Sequence, residues 1–188
     1  MTTTTSISIC SNALLLLGHT PISSFDEAGA GAQVASNLYE SCYRNLLTLH
    51  RWRFATKTKQ LSKLTTAPPH TYQYAYQLPS DFLLAINIEG RNTVYEIYGD
   101  KLYCNDGDVY LDYIYRVDES FLPPYFIITM QFFLAMQFAI PVTGNSTRAG
   151  EYNGMYEAQL KRAKNIDSTS RTNVSIMSSP FTDIRHGN

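Results

Sequence analysis

Apolar residues recur at spacings of three and four over the first fifty positions, which predicts two helices separated by a loop. The shorter helix has one apolar face, formed by Ile7, Cys10, Leu14 and Leu17. Gly18 follows it where a helix C-cap glycine is expected. The longer helix ends near His50 and has a second apolar face, formed by Ala35, Leu38, Cys42, Leu46 and Leu49. Ser24 and Glu27 have capping-box spacing, although the glycines after them obscure where this helix begins.

The hydrophobic period changes to two after Trp52, which predicts a β-rich region. Alternating segments predict strands at residues 54–64, 72–78, 82–88, 94–98, 101–104 and 108–115. Turns containing glycine and aspartate separate the shorter segments, and this spacing predicts a β-meander. Trp52 itself is predicted to anchor the core where the second helix meets the sheet.

A nearly all-apolar segment, residues 125–140, lies between two prolines and predicts a third helix. It is shorter than the about 20 residues of a membrane span, contains Gln131 and Gln137, and has no basic cluster beside it. We therefore expect a helix buried by its own fold and by neighbouring subunits, without membrane insertion. A fourth helix, running to about Asp167, is predicted from Ala149, Tyr152, Tyr156, Leu160 and Ala163.

These elements predict an α+β fold, in which helices are segregated from an antiparallel sheet. The expected architecture is an antiparallel four-helix bundle with a small Tyr-rich antiparallel β-insert between helices 2 and 3. An extended C-terminal arm follows, because the last residues have neither helical nor strand periodicity. The predicted divisions are residues 1–51 (helices 1 and 2), 52–119 (β-rich insert), 120–167 (helices 3 and 4) and 168–188 (the C-terminal arm).

Composition favours a protein that is partly covered by other subunits. The 188 residues include 15 Lys and Arg against 16 Asp and Glu, for a net charge of −1. This balance argues against a basic nucleic-acid reader, which needs a surplus of cations for phosphate contacts. Charged residues make up only 16% and aromatic residues 13%, with 14 tyrosines, and protein interfaces are likewise depleted in charge and enriched in aromatics. The odd set of three cysteines predicts reduced, buried thiols in a protein assembled in a cytosol.

Motifs for catalysis are absent from the sequence. The pair Gly29 and Gly31 lacks the further glycine and the preceding strand of a phosphate-binding loop. No histidine or cysteine pair has zinc spacing, and residues 105–108 lack the ligand series of a calcium loop. Glu40 and Glu157 lie on predicted helices and are interpreted as solvated or interface residues rather than general acids. We therefore expect no catalytic residue, no metal site and no cofactor, and hence no enzyme.

The chain carries segments that occur together in a known family. They are Cys10, Ala13-Leu14, Leu17-Gly18, Ile22-Ser23-Ser24, Asp26-Glu27, Tyr39, Leu46-Leu47, His50-Arg51-Trp52-Arg53-Phe54-Ala55 and Tyr74-Ala75-Tyr76-Gln77-Leu78-Pro79-Ser80-Asp81. Their order and spacing over about residues 7–88 resemble the tail tubular protein A family, the head-to-tail adaptors of short-tailed bacteriophages. The family usually has Pro before the tryptophan and Asn after it, where this chain has Arg51 and Arg53.

The resemblance implies a structural virion protein at the portal vertex, assembled in the cytoplasm of the bacterial host. Its subunits would form a homo-oligomeric ring, usually of twelve, that docks under the portal protein and carries the tail nozzle or tubular protein below. Double-stranded DNA would pass through the lumen without sequence-specific binding. The near-zero net charge suits such a conduit, because a lumen rich in Lys and Arg would hold passing phosphates.

Two sets of residues are predicted to bind these partners. The tail side is assigned to tyrosines of the β-insert, which offer more aromatic area than a small sheet can bury, namely Tyr95, Tyr98, Tyr103, Tyr110, Tyr113 and Tyr115. The portal or a neighbouring adaptor is assigned to anchors on the C-terminal arm, namely Ile176, Met177, Phe181, Ile184 and Arg185. Two alternatives remain open, a peptidoglycan-cleaving virion enzyme and a generic monomeric binding module.

Overall fold

A computed structural model describes residues 4–65, 68, 71–88 and 93–169 of the chain. The helices in these residues are α1 (Ser6–Leu16), α2 (Ala30–Thr48), α3 (Pro124–Thr143) and α4 (Ser146–Thr169), with short 3₁₀ turns at Arg53–Ala55 and Glu119–Phe121. The strands are β1 (Thr56–Gln60), β2 (Ser62–Lys63), β3 (Tyr74–Gln77), β4 (Phe82–Ile88), β5 (Glu96–Tyr98), β6 (Lys101–Cys104) and β7 (Tyr110–Tyr115).

Helix α3 lies at the centre of the helical layer, and the other three helices pack against it. This position explains why its sequence is almost entirely apolar, since a helix with packing partners on several sides has little polar surface to supply. Within the described residues α3 is also the one helix whose length and composition would suit a membrane crossing, and less than half of it is buried by the fold. A core helix meets the same two criteria, so this finding is weak evidence for membrane insertion.

The helix ends follow local capping chemistry. Pro124 occupies the first turn of α3, where its missing N–H leaves no bond unmade. Gly18 and Gly144 follow α1 and α3 with φ values of 71° and 67°, a left-handed conformation that glycine adopts at little cost. Helix α2 begins at Ala30 and not at the Ser24–Glu27 pair. The Glu27 carboxylate instead accepts the backbone N–H of Ser24 in a turn before the helix.

The strands form two antiparallel sheets. The three-stranded inner sheet has the order β1-β7-β4, and the four-stranded outer sheet has the order β2-β3-β6-β5. The chain passes from the inner to the outer sheet at Leu61, which is buried and bonds to the Val109 carbonyl. It returns through residues 78–81 between β3 and β4, and again through residues 105–109 between β6 and β7.

The inner sheet separates two hydrophobic cores. On β7, Ile114 faces the helical core, whereas Leu111 and Tyr113 face a second core shared with the outer sheet. Strand β4 contributes side chains to both cores. Its pairing with β7 has two register shifts, between Phe82 and Leu84 and between Ala85 and Asn87, which change the face to which the following side chains point. The described residues therefore form three layers, namely helices, inner sheet and outer sheet.

The predicted architecture of a four-helix bundle with a small β-insert is wrong. The described residues have four helices in an α+β fold, but also seven strands in two sheets that build a β-rich core of their own. The predicted meander is wrong for the same reason. Strand β7 lies between β1 and β4, both distant in sequence, so the inner sheet joins strands that a meander would not pair.

Trp52 is the core anchor that the sequence predicted. It is fully buried, and its Nε1–H donates to the Leu46 carbonyl at 3.0 Å. Its indole meets the Phe126 ring edge-on at 5.2 Å between ring centroids. Trp52 thereby joins the end of α2, the start of β1 and the first turn of α3.

Candidate functional site

A buried carboxylate fixes the end of the last helix to the joint between α2 and β1. Asp167 is almost fully buried, and its two oxygens lie 3.3 and 3.2 Å from the backbone nitrogen of Arg53. The Tyr125 hydroxyl donates to the same carboxylate at 2.8 Å. Burial, followed by this bond to Asp167, raises the pKa of Tyr125. We call Asp167 with His50, Arg53 and Tyr125 the arm-root joint.

His50 completes the arm-root joint from the end of α2. Its Nε2 lies 3.8 Å from an Asp167 oxygen, and burial lowers the pKa of this imidazole despite the nearby carboxylate. The Arg53 guanidinium donates to the Ser168 carbonyl at 3.2 Å. These contacts hold the last turn of α4 against the joint between α2 and β1.

An open cavity of about 660 Å³ lies beside the arm-root joint. It is lined by His50, Arg51, Arg53, Thr56, Asp167 and Ser168. The Arg51 guanidinium lies 3.5 Å from the Asp112 carboxylate of the inner sheet. Both guanidinium groups of the lining already have partners in this chain, namely Asp112 for Arg51 and the Ser168 carbonyl for Arg53.

A second polar cluster joins α2 to the end of the inner sheet. The Arg116 guanidinium contacts Glu40 at 2.9 Å and Glu119 at 2.8 Å, and it lies 4.5 Å from the centre of the Tyr43 ring. The Tyr39 hydroxyl donates to Glu119 at 3.0 Å. The hydrogen bonds that Arg116 donates to Glu119, and then to Glu40, raise the pKa of Arg116 against the opposing effect of burial. This cluster fixes the helical layer to the chain that follows β7.

The six tyrosines predicted for the tail side do not lie on one surface. Tyr103 and Tyr113 are buried, Tyr95 and Tyr115 are half-buried, and Tyr98 and Tyr110 are exposed. Tyr113 lies between the two sheets, where burial and then its bond to Asp81 raise its pKa to about 12. The structure therefore divides the set between core and surface, and the binding role of its exposed members stays a prediction.

The outer face of the outer sheet carries an aromatic group around one carboxylate. Glu96 and Tyr103 are register partners on β5 and β6, and the Tyr98 ring lies 5.8 Å from that of Tyr103. The Tyr98 hydroxyl donates to Glu96 at 2.7 Å. This bond is the first cause of the raised pKa of Tyr98, whose side chain is more than half exposed.

The arm anchors predicted from the sequence, Ile176, Met177, Phe181, Ile184 and Arg185, lie outside the described residues. Helix α4 runs to Thr169, so it includes the first two residues of the segment predicted as the arm. The arm-root joint lies directly before this segment, and the prediction of an arm that binds a partner stays a prediction.

The sequence did not reveal Asp167 or Arg116 as key residues. A signal was present for Asp167, because an acidic side chain near a helix C-terminus opposes the helix dipole and so indicates a tertiary partner. Arg116 gave no such signal, since its partners Glu40 and Glu119 come from different parts of the chain.

The side chains considered for catalysis or metal binding have structural partners. Glu40 pairs with Arg44 and Arg116, and Glu157 accepts the Asn153 amide. Across residues 4–65, 68, 71–88 and 93–169, no group of three or more His, Cys, Asp or Glu side chains could hold a metal ion. The three cysteines are buried and unpaired, as predicted, and burial raises the pKa of the Cys10 thiol.

No family model matches this chain, and no curated protein matches it in sequence. The functional argument therefore depends on the chain's own residues and on the motif resemblance described above.

Proposed function

We propose that this protein is the adaptor subunit of a ring that joins a phage portal to its tail. In this proposal about twelve copies surround a channel through which double-stranded DNA leaves the capsid. The subunit acts by contact alone, with its folded layers as a rigid spacer and its exposed apolar groups as docking surfaces.

The observation that carries the proposal is where the resembling residues lie. Leu17-Gly18 ends α1 through a left-handed glycine, and residues 50–55 join α2 to β1 around Trp52. Residues 78–81 carry the chain between the two sheets, and Asp81 there accepts the Tyr113 hydroxyl. The motifs that resemble the adaptor family thus occupy joints of the fold, where a shared architecture would constrain the sequence.

The surface supports an assembled protein. Large apolar side chains are exposed on all three layers, including Leu15 and Ile140 on helices, Leu84 on the inner sheet and Tyr98 on the outer sheet. Single exposed apolar residues are ordinary in monomers, but here they accompany an unusually low content of charged residues. This combination is typical of surfaces that other subunits cover.

The tail protein is assigned to the outer sheet, with Tyr98 as the exposed aromatic contact. The portal, or a neighbouring adaptor, is assigned to the C-terminal arm that follows the arm-root joint. A chain ending at Thr169 keeps the contacts of Asp167 and Ser168, so we expect unchanged helix content by circular dichroism. The same truncation should abolish binding to the portal, and undiminished affinity would remove the arm from the docking role.

The proposal is tested by co-expressing this chain with the portal protein of the same phage. Electron microscopy of the purified complex should show an additional ring, coaxial with the portal. Free protein that remains monomeric agrees with the proposal if the ring forms once portal is present. Failure to bind the portal under all conditions in which both proteins are folded would contradict it.

A further inference from the structure

Helix α3 has an apolar ridge that the described residues leave partly exposed. Ile128, Phe132, Met136 and Ile140 follow one another at intervals of four residues, which places them in one ridge along the helix surface. Ile128 is 43% exposed and Ile140 is 57% exposed, and the two residues between them are half-buried. We call this set the α3 ridge.

No charged residue interrupts the α3 ridge or its surroundings on the helix. The sequence from residue 120 to residue 147 contains no Asp, Glu, Lys or Arg. A surface that covers the ridge must be uncharged as well, because a charge buried against it would lose hydration without gaining a partner. The need for an uncharged surface leaves few candidate surfaces on a second copy of the chain.

Helix α1 offers such a surface. Among the four described helices, α1 and α3 are the two without a charged residue, whereas α2 carries Glu40 and Arg44 and α4 carries several charges. The outward side of α1 exposes Leu15 and Leu16, at 52% and 40%. Earlier turns of the same side carry the small polar residues Ser8, Ser11 and Asn12. We call this set the α1 face.

We propose that the α3 ridge of one subunit packs against the α1 face of its neighbour, and that this contact closes the ring. The inference rests on the proposed function and names the surfaces by which the subunits of that ring meet. The contact joins two different patches, and such head-to-tail contacts generate closed rings when the rotation between neighbours closes. The small residues of α1 allow a close helix approach, with the ridge seated in the groove between them.

Cross-linking tests the proposed pair of surfaces directly. The double variant Leu15→Cys with Ile140→Cys is assembled on the co-expressed portal and treated with a short thiol-specific cross-linker. We expect a ladder of cross-linked adaptor chains, because each interface contributes one cysteine from each surface. Each single variant should give monomers only. The native cysteines do not interfere, since all three are buried and burial raises their thiol pKa values.

Val94 supplies a matched control. Val94 is 76% exposed and lies outside the helical layer. In the control protein, Val94→Cys is combined with Leu15→Cys in place of Ile140→Cys. This control pair should give no ladder. A dimer from Ile140→Cys alone would overturn the proposal, since it would show two copies of the α3 ridge facing each other.

Charge placed on the ridge gives an independent measurement. Ile140→Lys puts a cation near the C-terminus of α3, where the helix dipole favours it, so the monomer should fold normally. We expect ring yield on the portal to fall about tenfold or more, because closure buries the lysine in an apolar contact. Ile128→Lys provides the same test at the other end of the ridge, should the first variant not fold.

The outcomes separate this inference from the proposed function. If the wild-type chain forms a ring on the portal while the double-cysteine variant gives no ladder, the α3–α1 contact is wrong and the adaptor function stands. If the wild-type chain forms no ring at all, the adaptor function and the α3–α1 contact are both contradicted. Co-sedimentation of the wild-type chain with phosphatidylglycerol-containing vesicles is a further measurement. If the chain binds the vesicles and Ile140→Lys abolishes this binding, the ridge is assigned to a lipid surface and the proposal is overturned.

Discussion

The helical layer and the two-sheet layer bury polar groups in different ways. The helical layer buries the Tyr43 phenol, which donates to the Val117 carbonyl, and in addition a carboxylate, Asp167, between segments that are far apart in sequence. The two-sheet core buries neutral phenols, whose hydroxyls reach the edge of the core. There Tyr76 donates to the Asp106 carbonyl and Tyr113 donates to Asp81. In the helical layer, the Asp167 carboxylate joins elements that are distant in sequence. In the two-sheet core, the tyrosine hydroxyls add bonds between segments that strand pairing already brings together.

This difference predicts where the chain is sensitive to substitution. Removing a partner of a buried carboxylate leaves an unsatisfied polar group inside the core. This lowers the free energy of unfolding more than removing a hydroxyl at the edge of a core, where water can replace the lost bond. Changes in the helical layer should therefore weaken the whole fold, and changes at the edge of the two-sheet core should have smaller effects.

The largest effect is expected at Trp52. Trp52→Ala removes a fully buried indole between α2, β1 and α3, and we expect a loss of about 3–5 kcal/mol in the free energy of unfolding. Urea unfolding followed by circular dichroism measures this loss. Phe121→Ala is the matched control, because Phe121 is 76% exposed and its truncation should change stability by less than about 0.5 kcal/mol. Equal losses for both variants would contradict the account.

Asp167 tests the arm-root joint itself. Asp167→Ala leaves the Arg53 N–H and the Tyr125 hydroxyl without their acceptor, and we expect a loss of about 2 kcal/mol. Asp167→Asn keeps one oxygen acceptor and should lose clearly less. Chemical denaturation of the three proteins side by side gives the comparison. The joint has no energetic role if the alanine variant unfolds at the wild-type denaturant concentration.

Tyr113 provides the corresponding test in the two-sheet core. Tyr113→Phe keeps the buried ring and deletes the bond to Asp81, so we expect a loss of about 1 kcal/mol. Tyr110→Phe, on the same strand but exposed, should be nearly neutral. Because Trp52 is the single tryptophan, its fluorescence reports the helical layer while far-ultraviolet circular dichroism reports both layers. Separate transitions would show that the two layers unfold independently.

The smallest effect is expected from acid acting on the Arg116 cluster. Burial alone would raise the pKa values of Glu40 and Glu119, but hydrogen bonds and the charge of Arg116 outweigh it and hold both below the usual 4.5. A carboxyl whose pKa is lower in the folded state stabilises the fold above its unfolded pKa, and this contribution is lost as pH falls through the folded pKa.

Arg116→Met should therefore flatten the dependence of stability on pH below about 4.5. Urea midpoints measured between pH 6 and pH 3 provide the comparison. Partial exposure of Glu40 limits the effect through solvent screening. Identical pH dependence in the variant and the wild type would show that the cluster does not contribute.

The sequence predicted the helices well because their signals are local. The apolar face from Cys10 to Leu17, the glycine at position 18 and the proline at position 124 each depend on neighbours within a turn or two. Most strand positions were also close to those observed, but the single strand predicted at residues 54–64 is two strands, β1 and β2, in different sheets. The pairing of the strands was not predicted. In the sequence Ile114 and Tyr113 are simply two neighbouring apolar residues, but in the fold the helices cover Ile114 and the outer sheet covers Tyr113.

The functional residues divide in the same way. Tyr98 and Tyr110 are exposed as an interface would require, whereas Tyr113 resembles them in sequence and lies in the core. The arm-root joint depends on contacts between residues 53, 125 and 167, and no local pattern links such distant positions. The order of motifs along the chain indicated a function, but only the folded chain shows which surfaces remain available for partners.

The central claim is that this chain is a ring-forming adaptor on a portal, and native mass spectrometry of the co-expressed pair tests it most directly. The account predicts a complex heavier than the portal alone by about twelve adaptor masses of 21.3 kDa each. The increase should disappear when the chain ends at Thr169. A portal that is recovered at its own mass, in the presence of excess folded full-length chain, would contradict the claim.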